Sequence, residues 1–316
     1  MLHRTLETNG IHLHAMEQGQ GPLVLLLHGF PESWYSYRHQ MPVLAQAGYR
    51  VLAPDQRGYG DSEKPHAIEA YDIVSLANDA AGLIDAMGEK QAIVVGHDWG
   101  AQVAWHVALL HPERVRAVVG MSVPFGGRAR SAPLARLKET FKDKFFYMLY
   151  FQEPGVAETE LELDVQRSLR MFYYSGSGDA SDGGAFTPHA ASARLLDTMR
   201  DPDQLPAWLG EADLDYQTAQ FERSGFRGPI NWYRNFDRSW ERSEQLAGKS
   251  IEQPALFITG KRDPVLRWSQ RALARMPQFM PQLRETVLLP DCGHWVQQER
   301  PEAVNAALLK FLKQLE

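Results

Sequence analysis

Gly96-His97-Asp98-Trp99-Gly100 follows the apolar run Ala92-Ile93-Val94-Val95 and opens into helical spacing from Ala101 to Leu110. A strand, a turn framed by two glycines and a helix make a sharp elbow that lifts its middle side chain above the end of the strand. The familiar form of this elbow presents a serine. Here the presented group is a carboxylate, Asp98. A carboxylate is a poor nucleophile towards acyl carbon and a useful one towards an electrophilic sp³ carbon, where it leaves an alkyl ester on the protein. Taken alone, G-x-D-x-G also reads as an ordinary strand-to-helix turn, so its surroundings decide.

Those surroundings alternate. Pro22 to His28 is a continuous apolar run, as a central strand buried on both faces requires. Arg50 to Pro54, Gln91 to Val95 and Val115 to Met121 read as further strands, with helical spacing between them at Asp72 to Met87 and Ala101 to His111. The βαβ rhythm predicts a mostly parallel sheet covered by helices. It resumes at Ala255 to Thr259 and Glu285 to Leu289 and ends in a helix from Pro301 to Leu315. Between about 124 and 250 it stops. That interval is rich in Phe, Tyr, Trp and Arg, lacks strand-like runs, and contains a Ser/Gly/Asp stretch, Ser175 to Gly184, that reads as a loop. The expected organisation is a core over 1–123, an inserted helical cap over 124–250, and the rest of the core over 251–316.

Composition narrows the function. A chain of 316 residues, 44% hydrophobic, can bury a large core. A formal charge of −6 argues against nucleic acid or an anionic membrane as partner. Met1 to Glu7 lacks the apolar segment of a signal peptide, and no apolar run is long enough to span a bilayer, so a soluble cytoplasmic protein is expected. The single Cys292 excludes an internal disulfide and a Cys-based zinc site. His12 and His14 alternate on an N-terminal strand; with no carboxylate or Cys cluster beside them in sequence, they read as ordinary strand residues, and no metal site is expected.

Three further motifs sit where strands end. His28-Gly29-Phe30-Pro31 closes a buried strand, and the N–H of Phe30 could pair with that of Trp99 to cradle a developing oxyanion; Pro31 has none to offer. Asp263, in Thr259-Gly260-Lys261-Arg262-Asp263-Pro264, and His294, in Pro290-Asp291-Cys292-Gly293-His294-Trp295, follow the last two strands. With Asp98 they give the order nucleophile, acid, histidine of the α/β-hydrolase fold. Asp291 competes for the acid's role, but three residues along the same loop is poor geometry for orienting the ring. Tyr147 and Tyr233, read from composition alone, are core-filling aromatics.

Taken together these residues resemble the α/β-hydrolase-fold epoxide hydrolases, in particular the hydrolase domain of soluble epoxide hydrolases. The resemblance runs from about residue 9 to the end and is carried by His28 to Gln40, the elbow, Phe145 to Gly155, Ser224 to Asn235 and Asp291 to Trp295. No segment corresponds to the phosphatase-like domain that precedes the hydrolase in the mammalian soluble enzyme. The resemblance implies that Asp98 is the nucleophile, that His294 with Asp263 activates water, and that Tyr147 and Tyr233 donate to the epoxide oxygen. It further implies that Glu32 and His97 position the hydrolytic water. Tyr150 competes with Tyr147, and alignment on Phe151-Gln152-Glu153-Pro154-Gly155 selects Tyr147.

The expected partners are water and a small apolar or aryl epoxide, with no metal or organic cofactor. A haloalkane-type dehalogenase shares the Asp nucleophile. Halide, however, is a good leaving group that has no use for paired phenols, and Trp99 and Gln102 stand where fluoroacetate dehalogenases favour Arg. A non-catalytic receptor on the same fold has no reason to keep a complete triad.

Overall fold

The structure, a computed structural model, describes residues 1–180 and 189–315. In its first part β1 (Leu2–Thr8), β2 (Ile11–Gln18), β3 (Leu23–Leu27), α1 (Gln40–Gln46), β4 (Arg50–Pro54), α2 (Ile73–Ala86), β5 (Ala92–His97), α3 (Trp99–Leu110) and β6 (Val115–Met121) follow one another. An insertion of helices comes next: α4 (Pro133–Thr140), α5 (Tyr147–Tyr150), α6 (Val156–Leu161), α7 (Val165–Gly176), α8 (Glu211–Ser224), α9 (Arg227–Arg234) and α10 (Phe236–Arg242). The chain returns to the sheet with β7 (Ala255–Gly260), α11 (Pro264–Phe279), β8 (Leu283–Leu289), α12 (Val296–Glu299) and α13 (Pro301–Lys313).

The strands form one sheet in the order β1-β2-β4-β3-β5-β6-β7-β8. β2 pairs antiparallel with β1 and β4, and every other pairing is parallel. This is the mostly parallel, helix-covered sheet expected from the alternation, in the α/β-hydrolase arrangement that the resemblance implies. β3 lies between β4 and β5; the chain leaves β3 towards β4 and leaves β5 towards β6, in opposite directions, which opens a crevice at the carboxyl ends of β3 and β5. The register aligns those ends: Leu27 is opposite Gly96, His97 opposite Met121, and Gly260 opposite Leu289.

The apolar runs look continuous in sequence because alternate residues serve two cores. Leu25, Leu27, Val94 and Val118 pack with Leu76, Leu83, Val103 and Val107 of α2 and α3. Val24, Leu26, Val95 and Val119 pack on the opposite face with Met41 and Leu44 of α1 and Leu308, Phe311 and Leu312 of α13. Each such side chain contributes roughly 1.5–3 kcal/mol on leaving water, so the strands are fixed in register by burial on both faces.

Two expectations need correction. Ser175 and Gly176 do not belong to a loop; they close α7, where Ser175 is buried and its hydroxyl accepts the N–H of Arg200 (3.0 Å). Packing of Leu169 and Tyr173 carries the helix past a composition that reads as a turn. The end of that stretch, 181–184, lies outside the described residues. β8 also begins two residues before the expected Glu285. Among the described residues no helix is long and apolar enough to cross a membrane.

Candidate active site

Asp98 sits between β5 and α3 with φ 52° and ψ −117°, a conformation that L-residues other than glycine seldom adopt. The strain is sustained by close packing below it. A Cβ on Gly96 would meet the carbonyl oxygen of Gly100 at 2.0 Å, and one on Gly100 would meet that of Leu27 at 1.9 Å. Only glycine lets α3 come this near β3 and β5, and the approach turns Asp98 outward. Its Oδ1 accepts the N–H of Phe30 (2.9 Å), from the turn after β3. Trp99 is the first residue of α3, so its N–H is one of those a helix leaves without an internal acceptor.

His294 arrives from the loop after β8. Its Nε2 lies 3.4 Å from Asp98 Oδ2, and its Nδ1 faces both oxygens of Asp263 at 3.1 and 3.2 Å. Asp263, fully buried, also caps α11 by accepting the N–H of Val265 (2.8 Å), which fixes the carboxylate towards the ring. Asp291 pairs instead with Arg262 (2.6 Å) at the surface. Burial lowers the His294 pKa, but the carboxylates of Asp263 and Asp98 outweigh it and raise it well above the usual histidine range. Burial likewise opposes the charge of Asp98; hydrogen bonding and attraction to His294 prevail and hold its carboxyl below the ordinary value.

The insertion brings two phenols over this triad. Tyr147 opens α5 and Tyr233 lies near the end of α9; their ring centroids are 5.9 Å apart. Both line, with Asp98 and His294, a pocket whose remaining walls include Phe172, Leu195, Met199 and Val265. Burial raises the pKa of both hydroxyls, and the Asp98 charge raises it further, so both stay protonated. Tyr150 turns away and donates to Glu160 (2.7 Å).

Residues 22–301 match the alpha/beta hydrolase fold family. Epoxide hydrolase A of Mycobacterium tuberculosis is 47% identical over 99% of this chain and 98% of its own. The crystal structure of epoxide hydrolase A from Mycobacterium thermoresistibile superposes with a TM-score of 0.95 at 48% identity, covering 100% of this chain and 99% of that one. The chain belongs to the epoxide hydrolases of the α/β-hydrolase fold. Bifunctional epoxide hydrolase 2 of Rattus norvegicus is 42% identical over 96% of this chain, which spans 54% of that protein.

Several parts of this epoxide hydrolase site are silent in the sequence. The rings of Phe30 and Trp99 both meet Tyr233 edge-on, at 5.5 and 5.1 Å between centroids. Phe30 also meets Phe151 and Phe172 edge-on, and Trp99 stacks on Phe236, so these two residues hold the insertion in place with their side chains. Gln152 donates to the carbonyl of Tyr233 (3.0 Å). Arg234, next to Tyr233, donates to Phe151, Glu153 and both oxygens of Glu158, tying α9 to the segment after α5. The stretch Phe151 to Gly155 thus registers one tyrosine against the other.

Glu32 and His97 are fully buried. Glu32 accepts from Gly29 N (3.0 Å), Gln297 Nε2 (2.9 Å) and Gln298 Nε2 (3.0 Å), and its Oε2 lies 2.8 Å from His97 Nδ1. His97 Nε2 donates to the carbonyl of His294 (2.8 Å), which also accepts from Ser122 Oγ (2.6 Å). Both residues therefore contact the backbone around the site. His12 and His14 do not act as a pair: His12 meets Glu63 (2.7 Å), while His14 meets Asp55 (2.8 Å) and His3 (2.9 Å). His14, Asp55 and Asp61 have ligand atoms within 4.8 Å of one another, a grouping hidden by the 41 positions between His14 and its first carboxylate.

Proposed function

We propose that the protein hydrolyses a small apolar or aryl epoxide to a vicinal diol through an alkyl ester on Asp98. The observation that carries the reading is a carboxylate elbow facing two protonated phenols across an apolar pocket. Phe30 N–H holds Oδ1, which becomes the ester carbonyl oxygen, and leaves Oδ2 to attack carbon. As the epoxide C–O bond breaks, Tyr147 and Tyr233 donate to the forming alkoxide. Phenols suit this task because they are protonated at neutral pH and acidic enough to share a proton with an alkoxide. Residues 124–250 act as the cap that carries them, over a core of 1–123 and 251–316.

Proton balance follows from charge. The resting imidazole of His294 is protonated between two carboxylates. Alkylation neutralises Asp98 and removes one of them, so the ring releases its proton, which ends on the substrate oxygen by way of the tyrosines. Neutral His294 then takes a proton from water as the hydroxide adds to the ester carbonyl. The tetrahedral oxyanion is held by the N–H groups of Phe30 and Trp99. Its collapse transfers the added hydroxyl's proton to the departing diol oxygen and restores the Asp98 carboxylate beside protonated His294. Glu32 and His97 serve this step at one remove, by fixing Gly29 and the carbonyl of His294.

His294→Gln keeps the nucleophile and the tyrosines and removes the base. With styrene oxide it is expected to accumulate a one-substrate mass adduct on the peptide containing Asp98. Turnover at the wild-type rate with no adduct would contradict the assignment.

A further inference from the structure

Glu299 is a buried carboxylate that the chemistry above does not use. Its Oε2 accepts the N–H of Gly293 (2.8 Å) and its Oε1 that of Trp295 (3.0 Å), the residues on either side of His294. The same Oε2 accepts the N–H of Gly178 (2.9 Å), just beyond α7 in the cap. Around this carboxylate the two segments are sewn together: His294 N donates to Gly176 O (2.7 Å), and the indole of Trp295 donates to Tyr173 O (2.8 Å). The contact is so close that a Cβ on Gly293 would meet Gly178 N at 2.3 Å. Among the described residues, no hydrogen bond of Glu299 itself reaches Asp98, Phe30 or Tyr233.

We propose that Glu299 is a positioning residue for His294, fixing the backbone on both sides of the imidazole and joining that loop to the exit of cap helix α7. Ester hydrolysis therefore depends on Glu299 more than alkylation does. A base displaced by about 1 Å loses on the order of 100-fold in rate, whereas the nucleophile and the phenols keep their own supports. The inference rests on the alkyl-ester mechanism proposed above.

Rapid mixing with styrene oxide, with the ester followed by quenched-flow mass spectrometry, resolves the two steps in the wild type, His294→Gln, Glu299→Gln and Glu299→Asp. The ester amplitude counts folded sites, so a loss of stability does not mimic a loss of rate. Glu299→Gln retains the shape but turns one acceptor into a donor facing N–H groups. It is expected to form ester within about 3-fold of wild type and to hydrolyse it roughly 10- to 100-fold more slowly, with Glu299→Asp between the two. Gly178→Ala leaves Glu299 intact and pushes the α7 exit off the loop; it should show the same selective slowing, and it serves if the Glu299 variants fail to fold. Equal slowing of both steps, or no slowing of either, would overturn the proposal. Ester that accumulates in His294→Gln but decays normally in Glu299→Gln sinks this inference alone. Ester absent from every variant sinks it together with the mechanism.

Discussion

Asp98, Asp263 and His294 each follow a strand of one sheet, whereas Tyr147 and Tyr233 hang from short helices with no ladder behind them. The first group is placed by register. Once β3, β5 and β7 are parallel and buried and β8 pairs parallel beside β7, the residues after them converge above the carboxyl ends of the strands. The second group is placed by packing. α5 is four residues long, too short to hold itself, and its position comes from aromatic contacts and from Gln152 and Arg234. Phe30 and Trp99 bridge the regions: both turn their rings to Tyr233, and Phe30 N–H also donates to Asp98. The difference teaches that Asp98 and His294, the proposed nucleophile and base, are set by the core, while Tyr147 and Tyr233, the proposed donors, depend on how the insertion sits.

The largest effect expected on the cap side comes from removing both phenols. Tyr147→Phe with Tyr233→Phe keeps both rings, so the edge contacts persist and the protein should fold. One lost hydrogen bond to a developing alkoxide is worth about 2–4 kcal/mol, roughly 30- to 900-fold, so each single variant should slow alkylation by that factor. The double variant should lose nearly all epoxide opening, because neither donor can then cover for the other. Normal opening by a folded double variant would return both tyrosines to packing. Haloalkane turnover exceeding epoxide turnover in the unaltered protein would point to a dehalogenase instead.

The core side is sharpened by a smaller effect, on pH. The His294 pKa is raised in the resting protein, chiefly by Asp263 and Asp98 acting against burial. A raised folded pKa gives stability that is fully present below the unfolded value and lost as pH rises through the folded one. Esterification removes the Asp98 charge, which lies 3.4 Å from Nε2, so the ring's pKa should fall. Ester decay should therefore rise with pH to a plateau, with an apparent pKa below that of His294 in the free protein measured by NMR. Equal values in the two states would mean that Asp98 does not hold the imidazolium.

The same contrast explains what was legible in the sequence. β3, β5 and β7 read clearly because burial on both faces makes them continuous apolar runs. β1 and the start of β8 lie at the sheet's two edges, largely exposed and charged, and carry no such signal. Asp98, Asp263 and His294 stood at recognisable strand ends, while Tyr147 and Tyr233 looked like core aromatics until a family resemblance singled them out. Glu299 gave no signal at all. It sits in Val296-Gln297-Gln298-Glu299, an ordinary polar helix start by composition, and its meaning depends on Gly178, 121 residues away. Ser175 and Gly176 misled for the converse reason, since tertiary packing outweighed a loop-like composition.

The central claim is that carbon is first transferred to Asp98. A single turnover in heavy-oxygen water, with enzyme in excess, tests it directly. Water attacking the ester carbonyl leaves its oxygen on the enzyme, so the account predicts label in the Asp98 peptide and an unlabelled diol on the first turnover. Label found only in the diol would mean that water attacked the epoxide itself, and the covalent account would be wrong.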